Sequence, residues 1–279
     1  MPCLAQVKYE GRLRQSDGLK IEKSDILSKY IAHATIERKW SPDVISGRMK
    51  LEGCKESIST ESIYKYVYTS PEAKELGIYK QLAHKRFQKH KRGERIRKHI
   101  IPNRTSIHKR PDIANSKAEL GQFEVDLTFH TGNRGKNIGV MAEKLSRKVM
   151  LVLNRCKKSL TVTTGFMHKM QSIPSTLRKT LTFDNGKEFT KHTNYNLLGF
   201  DAFFCDPYQP TQKDLVEKMN SMIHRILPKN IDINTITQNT LDSVADILNN
   251  MPRKIFGYQT PNEIWNKMAH KGIKKERGC

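Results

Sequence analysis

The stretch "GQFEVDLTFHT" (121–131) alternates apolar Phe123, Val125, Leu127 and Phe129 with polar Glu124, Asp126 and Thr128. A repeat of two puts one set on each face of an extended chain, so the stretch reads as a β-strand with one polar face. "NIGVMAEKLS" and "KVMLVLNRCK" follow, separated by turn-like Ser146–Arg147, and extend it into a three-strand meander. "SLTVTTGFMHKMQSI" then reads as a helix despite its threonines, and "LRKTLTFDNG" and "FDAFFCDP" as further strands. "QKDLVEKMNSMIHRILP" is an amphipathic helix with Leu215, Met219, Met222 and Ile226 on one face and Asp214, Glu217, Ser221 and His224 on the other. Three strands, a helix and more strands predict an α/β layer with mixed pairing. In the tail, "DSVADILNNMPRKIFGYQTPNEIW" begins as a helix with Val244, Ile247 and Leu248 inward, turns through Pro252, and reads as structural cover.

The amino-terminal third has a different grammar. Residues 24–40 place Leu27, Tyr30, Ile31 and Ala34 on one side of a loosely amphipathic helix. In "WSPDVISGRM", Ser41 stands as N-cap, Pro42 at the first helical position and Asp43 in the first turn. After a turn containing Gly53, Ser59 or Thr60 caps a second short helix with Ile63, Tyr64 and Val67 on one face. Residues 41–68 therefore match a helix-turn-helix, and an ordinary helical hairpin fits the pattern equally well. From Lys80 to Arg110 twelve Lys or Arg face the single acid Glu94, a composition expected of a basic, phosphate-binding linker. The expected organisation is a helical region at 1–79, a linker at 80–115 and an α/β core at 116–270.

With 50 Lys+Arg against 28 Asp+Glu, the formal net charge of +22 points to a polyanionic partner, above all nucleic acid. An anionic membrane surface is the weaker alternative. No apolar run reaches the roughly 18–20 residues of a bilayer span, and the start lacks a signal-peptide pattern, so no membrane partner and a cytoplasmic location are expected. The five cysteines, at 3, 54, 156, 205 and 279, are scattered without Cys-x-x-Cys spacing, which predicts reduced thiols and no structural zinc.

Three acids stand apart: Asp126 in a strand, Asp184 at a strand's end and Glu217 on a helix. Each has an ordinary explanation. Asp184 before Asn-Gly is common turn chemistry, Asp126 suits a solvent-facing strand position, and Glu217 suits an exposed helix position. Brought together, however, they would form an anionic cluster whose members repel one another unless a cation joins them. Hard oxygen donors of this kind suit Mg2+ or Mn2+, and two such ions support in-line phosphoryl displacement.

The stretches "WSPDVISGRM", "IPNRTSIHKRP", "GQFEVDL", "LTFDNGKEF", "DPYQP" and "LNNMPRKIFGYQTPNEIW" resemble the IS-thirty family of bacterial insertion-sequence transposases, over about residues 38–266. The resemblance implies a ribonuclease-H-like catalytic core behind a small all-α helix-turn-helix domain. It also implies an Asp–Asp–Glu triad on Asp126, Asp184 and Glu217, Mg2+ or Mn2+ dependence, and cleavage and strand transfer on double-stranded DNA at terminal inverted repeats. A homo-oligomer on DNA follows, since two element ends are joined. Where family members usually carry Trp and Arg-Gly, this chain has Thr211 and Lys213–Asp214. Asp214 is therefore a second candidate for the helical acid. A chain that binds element ends without cutting them, and a ribonuclease-H-type nuclease, stay open as alternatives.

Overall fold

The computed structural model describes residues 21, 24–54, 57–82, 101–116, 118–132, 135–207 and 209–276. The chain divides into two compact units, one of residues 1–89 with 251–260, the other of residues 90–250 with 261–279.

In the first unit α1 (Asp25–Ile36), α2 (Pro42–Leu51), α3 (Thr60–Thr69) and α4 (Pro71–Glu75) surround one apolar centre. Ser24 accepts from the Leu27 amide and Ser59 from the Ser62 amide, so α1 and α3 start on side-chain caps. Leu27, Ile31 and Ala34 face inward with Ile45, Met49, Ile63 and Val67, as the spacing requires. Gly53, at φ +65°, makes the turn after α2. The loop at 251–260 closes this unit. The Tyr258 hydroxyl hydrogen-bonds the Asp43 carboxylate at 3.2 Å, and its ring lies against Gly47, where a Cβ would stand 2.3 Å from it.

The second unit is built on a five-stranded sheet in the order β3-β2-β1-β4-β5: β1 Gln122–Thr128, β2 Asn137–Glu143, β3 Val149–Asn154, β4 Thr180–Phe183 and β5 Asp201–Phe204. The three leading strands pair antiparallel, while β4 and β5 run parallel to β1. A meander continued by parallel strands across a helical crossover is the ribonuclease-H-like arrangement of an α/β sheet. After α5 (Asp112–Ser116), helices α6 (Ser159–Met170), α7 (Asp214–Ile226), α8 (Gln238–Asn249) and α9 (Pro261–Glu276) flank it. Phe123, Val125, Met141, Leu181 and Phe183 pack with Phe166 and Met170 on the α6 side. Ile138, Val140 and Leu151 pack on the other side with Leu215, Met219 and Ile223 of α7 and Leu241, Val244 and Leu248 of α8. Covering both faces makes all seven residues of β2 buried.

Three features depart from the sequence expectation. Phe129 falls beyond the end of β1 and is exposed, with the Lys157 ammonium 3.9 Å from its ring centre. The tail contains α9, which "TPNE" announces with a cap residue, Pro and an acid three places on. Residues 101–111, expected within a basic, phosphate-binding linker, pack beside β5: Ser106 bridges Phe204 in parallel, and the Phe204 amide donates to the Thr105 carbonyl at 2.9 Å. An edge strand offers unpaired backbone groups that a neighbouring segment can satisfy, and buried Ile101 and Ile107 hold this one in place. Arg110 is buried too and donates to Thr182 Oγ1 at 2.8 Å. Residues 83–100 of the basic run lie outside the described residues.

Candidate active site

The parallel pairing of β1 with β4 decides where two of the three acids meet. Gln122 pairs with Thr180, Phe123 with Leu181 and Glu124 with Thr182, and the same offset carried two residues further brings Asp126 level with Asp184. The Asp184 Oδ1 accepts the Gly186 amide at 3.1 Å, an Asx turn that ends β4 and turns its carboxyl toward the sheet's rim. The Asn185 amide donates to the Cys205 carbonyl at 2.8 Å and ties this turn to the chain leaving β5.

Both carboxylates converge on one cation, the ammonium of Lys213. Its Nζ lies 3.1 Å from Asp126 Oδ1, 3.1 Å from the Val125 carbonyl and 3.5 Å from Asp184 Oδ2. Lys213 is only 6% exposed. Burial by itself would lower its pKa, but Asp184 and Asp126 outweigh burial and hold it above the ordinary value. Glu188 closes the site from the turn side: its carboxyl and the Asp184 carboxyl flank Gly186, each within 3.0 Å of where a Cβ would stand. Burial raises the Glu188 pKa, and the like charges of Asp184 and Asp126 add to the rise.

Helix α7 is stitched to β1 by polar rungs that follow the two periodicities. The Glu124 carboxylate accepts the Val216 amide at 3.0 Å, Asn220 donates to Asp126 Oδ2 at 2.8 Å, and Thr128 Oγ1 lies 2.8 Å from His224 Nε2. Residues 124, 126 and 128 share one strand face, and residues 217, 220 and 224 share one helix face. Lys213, at the N-cap of α7, supplies no side-chain cap, so buried Glu124 does that work from the neighbouring strand. Burial pushes the Glu124 carboxyl up despite this hydrogen bond.

Glu217 sits four residues after Lys213 and three before Asn220 on this helix, and its side chain is exposed. The structure brings Asp126 and Asp184 together and does not draw Glu217 in with them; among the described residues no three of His, Cys, Asp or Glu are gathered closely enough to hold a metal ion. Asp214 pairs instead with Lys218 at 2.9 Å. Lys213, Asn220 and Glu188 are contributors that the reading of the three acids left out. The spacing 213, 217, 220, 224 was the signal available, because it marks one polar helix face opposite the apolar stripe.

His224 is half-buried, with its ring 5.2 Å from that of His130. Burial, then Lys229 and His130, lower its pKa to about 4. A histidine depressed in the fold protonates more readily unfolded, so its contribution is present above the ordinary value of 6.5 and lost as pH falls toward about 4. Denaturant unfolding at a series of pH values should therefore show stability declining between about pH 6.5 and 4. His224→Gln should flatten that decline, and an unchanged slope would remove His224 as its source.

No described helix is long and apolar enough to cross a membrane. No family model matches the chain. Among solved structures, the catalytic core domain of BIV integrase aligns with 54% of this chain and 97% of its own, at 22% identity and a TM-score of 0.43. The strand order, rather than that loose superposition, carries the fold assignment. The transposase for insertion sequence element IS1086 from Cupriavidus metallidurans is 32% identical over 269 residues, 93% of this chain and 78% of its own length. The transposase for IS4351 from Bacteroides fragilis is 29% identical over 271 residues, 96% of this chain and 81% of its own. Transposase InsI of IS30A from Escherichia coli is 35% identical over 239 residues, 82% of this chain, which spans only 62% of that relative's length. On these relationships the chain belongs to the IS-thirty (IS30) family of insertion-sequence transposases.

Proposed function

We propose that the chain cuts and joins double-stranded DNA at the ends of its element, with Asp126, Asp184 and Glu217 as the acidic triad. The observation that carries this reading is that Asp126 on β1 and Asp184, just past the end of the parallel neighbour β4, both turn their carboxylates toward one positive charge. Their donor chemistry fits a hard divalent cation, since two carboxylates already share a cation there. Asp126 and Asp184 would hold Mg2+ or Mn2+ from the sheet and Glu217 from α7, whose polar face also carries Asn220 to Asp126. When bound, the ions neutralise charge on the phosphoryl oxygens.

The chain's own residues do the positioning. Asn220 orients Asp126, the Gly186 amide orients Asp184, and Glu124 fixes the start of the helix that bears Glu217. In the first step a water oxygen attacks phosphorus in line, the P–O3′ bond breaks, and the 3′ oxygen leaves with a proton as a hydroxyl. In the second step that hydroxyl attacks a target phosphodiester, one P–O bond forming as another breaks. Residues 41–68 serve as the DNA grip. Exposed Lys65 and the stacked Tyr64–Tyr68 pair on α3 support it as the groove-facing helix. Joining two ends calls for at least two copies on DNA.

A second reading, binding without scission, draws support from the ammonium between the two aspartates and from the exposed position of Glu217. One assay separates the two. End-labelled duplex from the DNA flanking the gene, incubated with the chain and Mg2+, should be nicked at the element ends, and EDTA should stop it. A footprint without scission at any Mg2+ or Mn2+ concentration would overturn the catalytic reading. An RNA–DNA hybrid run alongside should be cut less well than duplex, and the reverse preference would favour the nuclease alternative.

A further inference from the structure

Lys213 is held by two hydrogen bonds and a second ion pair. Its ammonium donates to the Val125 carbonyl and to Asp126 Oδ1, each at 3.1 Å, and faces Asp184 Oδ2 as an ion pair at 3.5 Å. A surface lysine reaching for an acid stays hydrated and exchanges partners. This one is buried between two strands and seats its charge where the two carboxylates point. It also stands at the junction of the turn Pro210–Lys213 with α7, at φ −129° and ψ 38°, outside helical geometry. As the N-cap it lies just outside the helix, and Glu217 follows one turn later.

We propose that Lys213 is a built-in counter-ion: its ammonium occupies the position between Asp126 and Asp184 that a divalent cation must take, so metal binding is a displacement of Lys213. The inference rests on the metal reading of Asp126 and Asp184 given above and adds a residue that acts against the metal. Two carboxylates left side by side would repel. The ammonium relieves that repulsion in the metal-free chain and keeps β1 and β4 in register at the site. A dication entering the pair meets the positive charge of Lys213 at close range, so the side chain has to leave. It vacates the mouth of α7, on the helix that bears Glu217. Lys213 is a positioning residue in this scheme and touches no reacting atom.

The test uses the full chain, stripped with EDTA and titrated with Mn2+ by calorimetry without DNA. Lys213→Met and Lys213→Gln should bind Mn2+ at least about tenfold more tightly than wild type, because the competing charge is gone, while Lys213→Arg should stay near wild type. Both neutral variants should melt lower than wild type in EDTA and gain more on adding Mn2+. A lysine with a merely structural role would lower the melting temperature without raising affinity. Footprinting of wild-type lysines by acylation and mass spectrometry needs no variant: Lys213 should be protected in EDTA and labelled once Mn2+ is present. Mn2+ binding by wild type that neutral variants leave unchanged or weaken, or labelling of Lys213 that Mn2+ does not alter, overturns the inference alone. No Mn2+ binding by wild type or by either neutral variant overturns the inference and the metal reading together.

Discussion

Asp184→Asn is expected to lower metal-dependent scission of element-end DNA by about 10^3-fold or more, with the fold unchanged. The substitution is nearly isosteric and keeps an oxygen at Oδ1, so the 3.1 Å hydrogen bond from the Gly186 amide, and with it the turn after β4, survives. What disappears is one negative charge, at the position where the carboxylate shares a cation with Asp126. Charge stabilisation at a phosphoryl-transfer centre is worth several kcal/mol, and about 4 kcal/mol corresponds to roughly three powers of ten in rate. Single-turnover cleavage of labelled duplex measures the loss. A melting curve for the same protein should lie within a few degrees of wild type, and a footprint should show DNA still bound. Wild-type scission by Asp184→Asn would remove this site from the reaction.

The sequence disclosed the fold through its periodicities and withheld the parts that depend on which strand lies beside which. The alternation in "FEVDLT" shows β1 and which residues share a face, and β1 is found at Gln122–Thr128. It leaves open what covers the polar face. Glu124 is buried there because α7 lies across it and takes its carboxylate as a cap, a pairing of residues far apart in the chain. Asp126 and Asp184 are singled out by motif. That they stand level follows from the β1–β4 register, which no local pattern encodes. Lys213 was the reverse case: compared with the family motif it was only a departure, and its place between the aspartates emerges from the fold. Residues 101–111 were hidden by averaging, since a window counted for charge overlooks that Ile101 and Ile107 can anchor a segment against an edge strand. The acid on α7 rests on the motif alone, because a long side chain at an exposed helix position has freedom that neither spacing nor packing fixes.

The residue immediately before Asp184 should show the opposite signature. Phe183→Ala is expected to cost about 3–5 kcal/mol of stability, the usual range for emptying a buried phenylalanine site. Phe183 is fully buried, and its ring centre lies 4.7 Å from that of Phe189, 5.5 Å from Tyr195 and 5.6 Å from Phe204. Those partners come from the turn after β4, the segment preceding β5 and β5 itself. Removing the ring therefore loosens three elements at once, and the surrounding rings are too rigid to collapse fully into the gap. For a unit of this size the melting temperature should fall by about 10 °C, at roughly 2–4 °C per kcal/mol. Phe183→Leu should recover more than half of that loss. Differential scanning calorimetry with denaturant titration checks both, and a Phe183→Ala protein that melts within about 2 °C of wild type would show that the cluster is not the anchor of β4. Two neighbours at the end of β4 then divide cleanly: the ring at 183, the last strand residue, points into the core, where its loss is read in stability, and the carboxylate at 184, in the turn, faces the site, where its loss is read in rate.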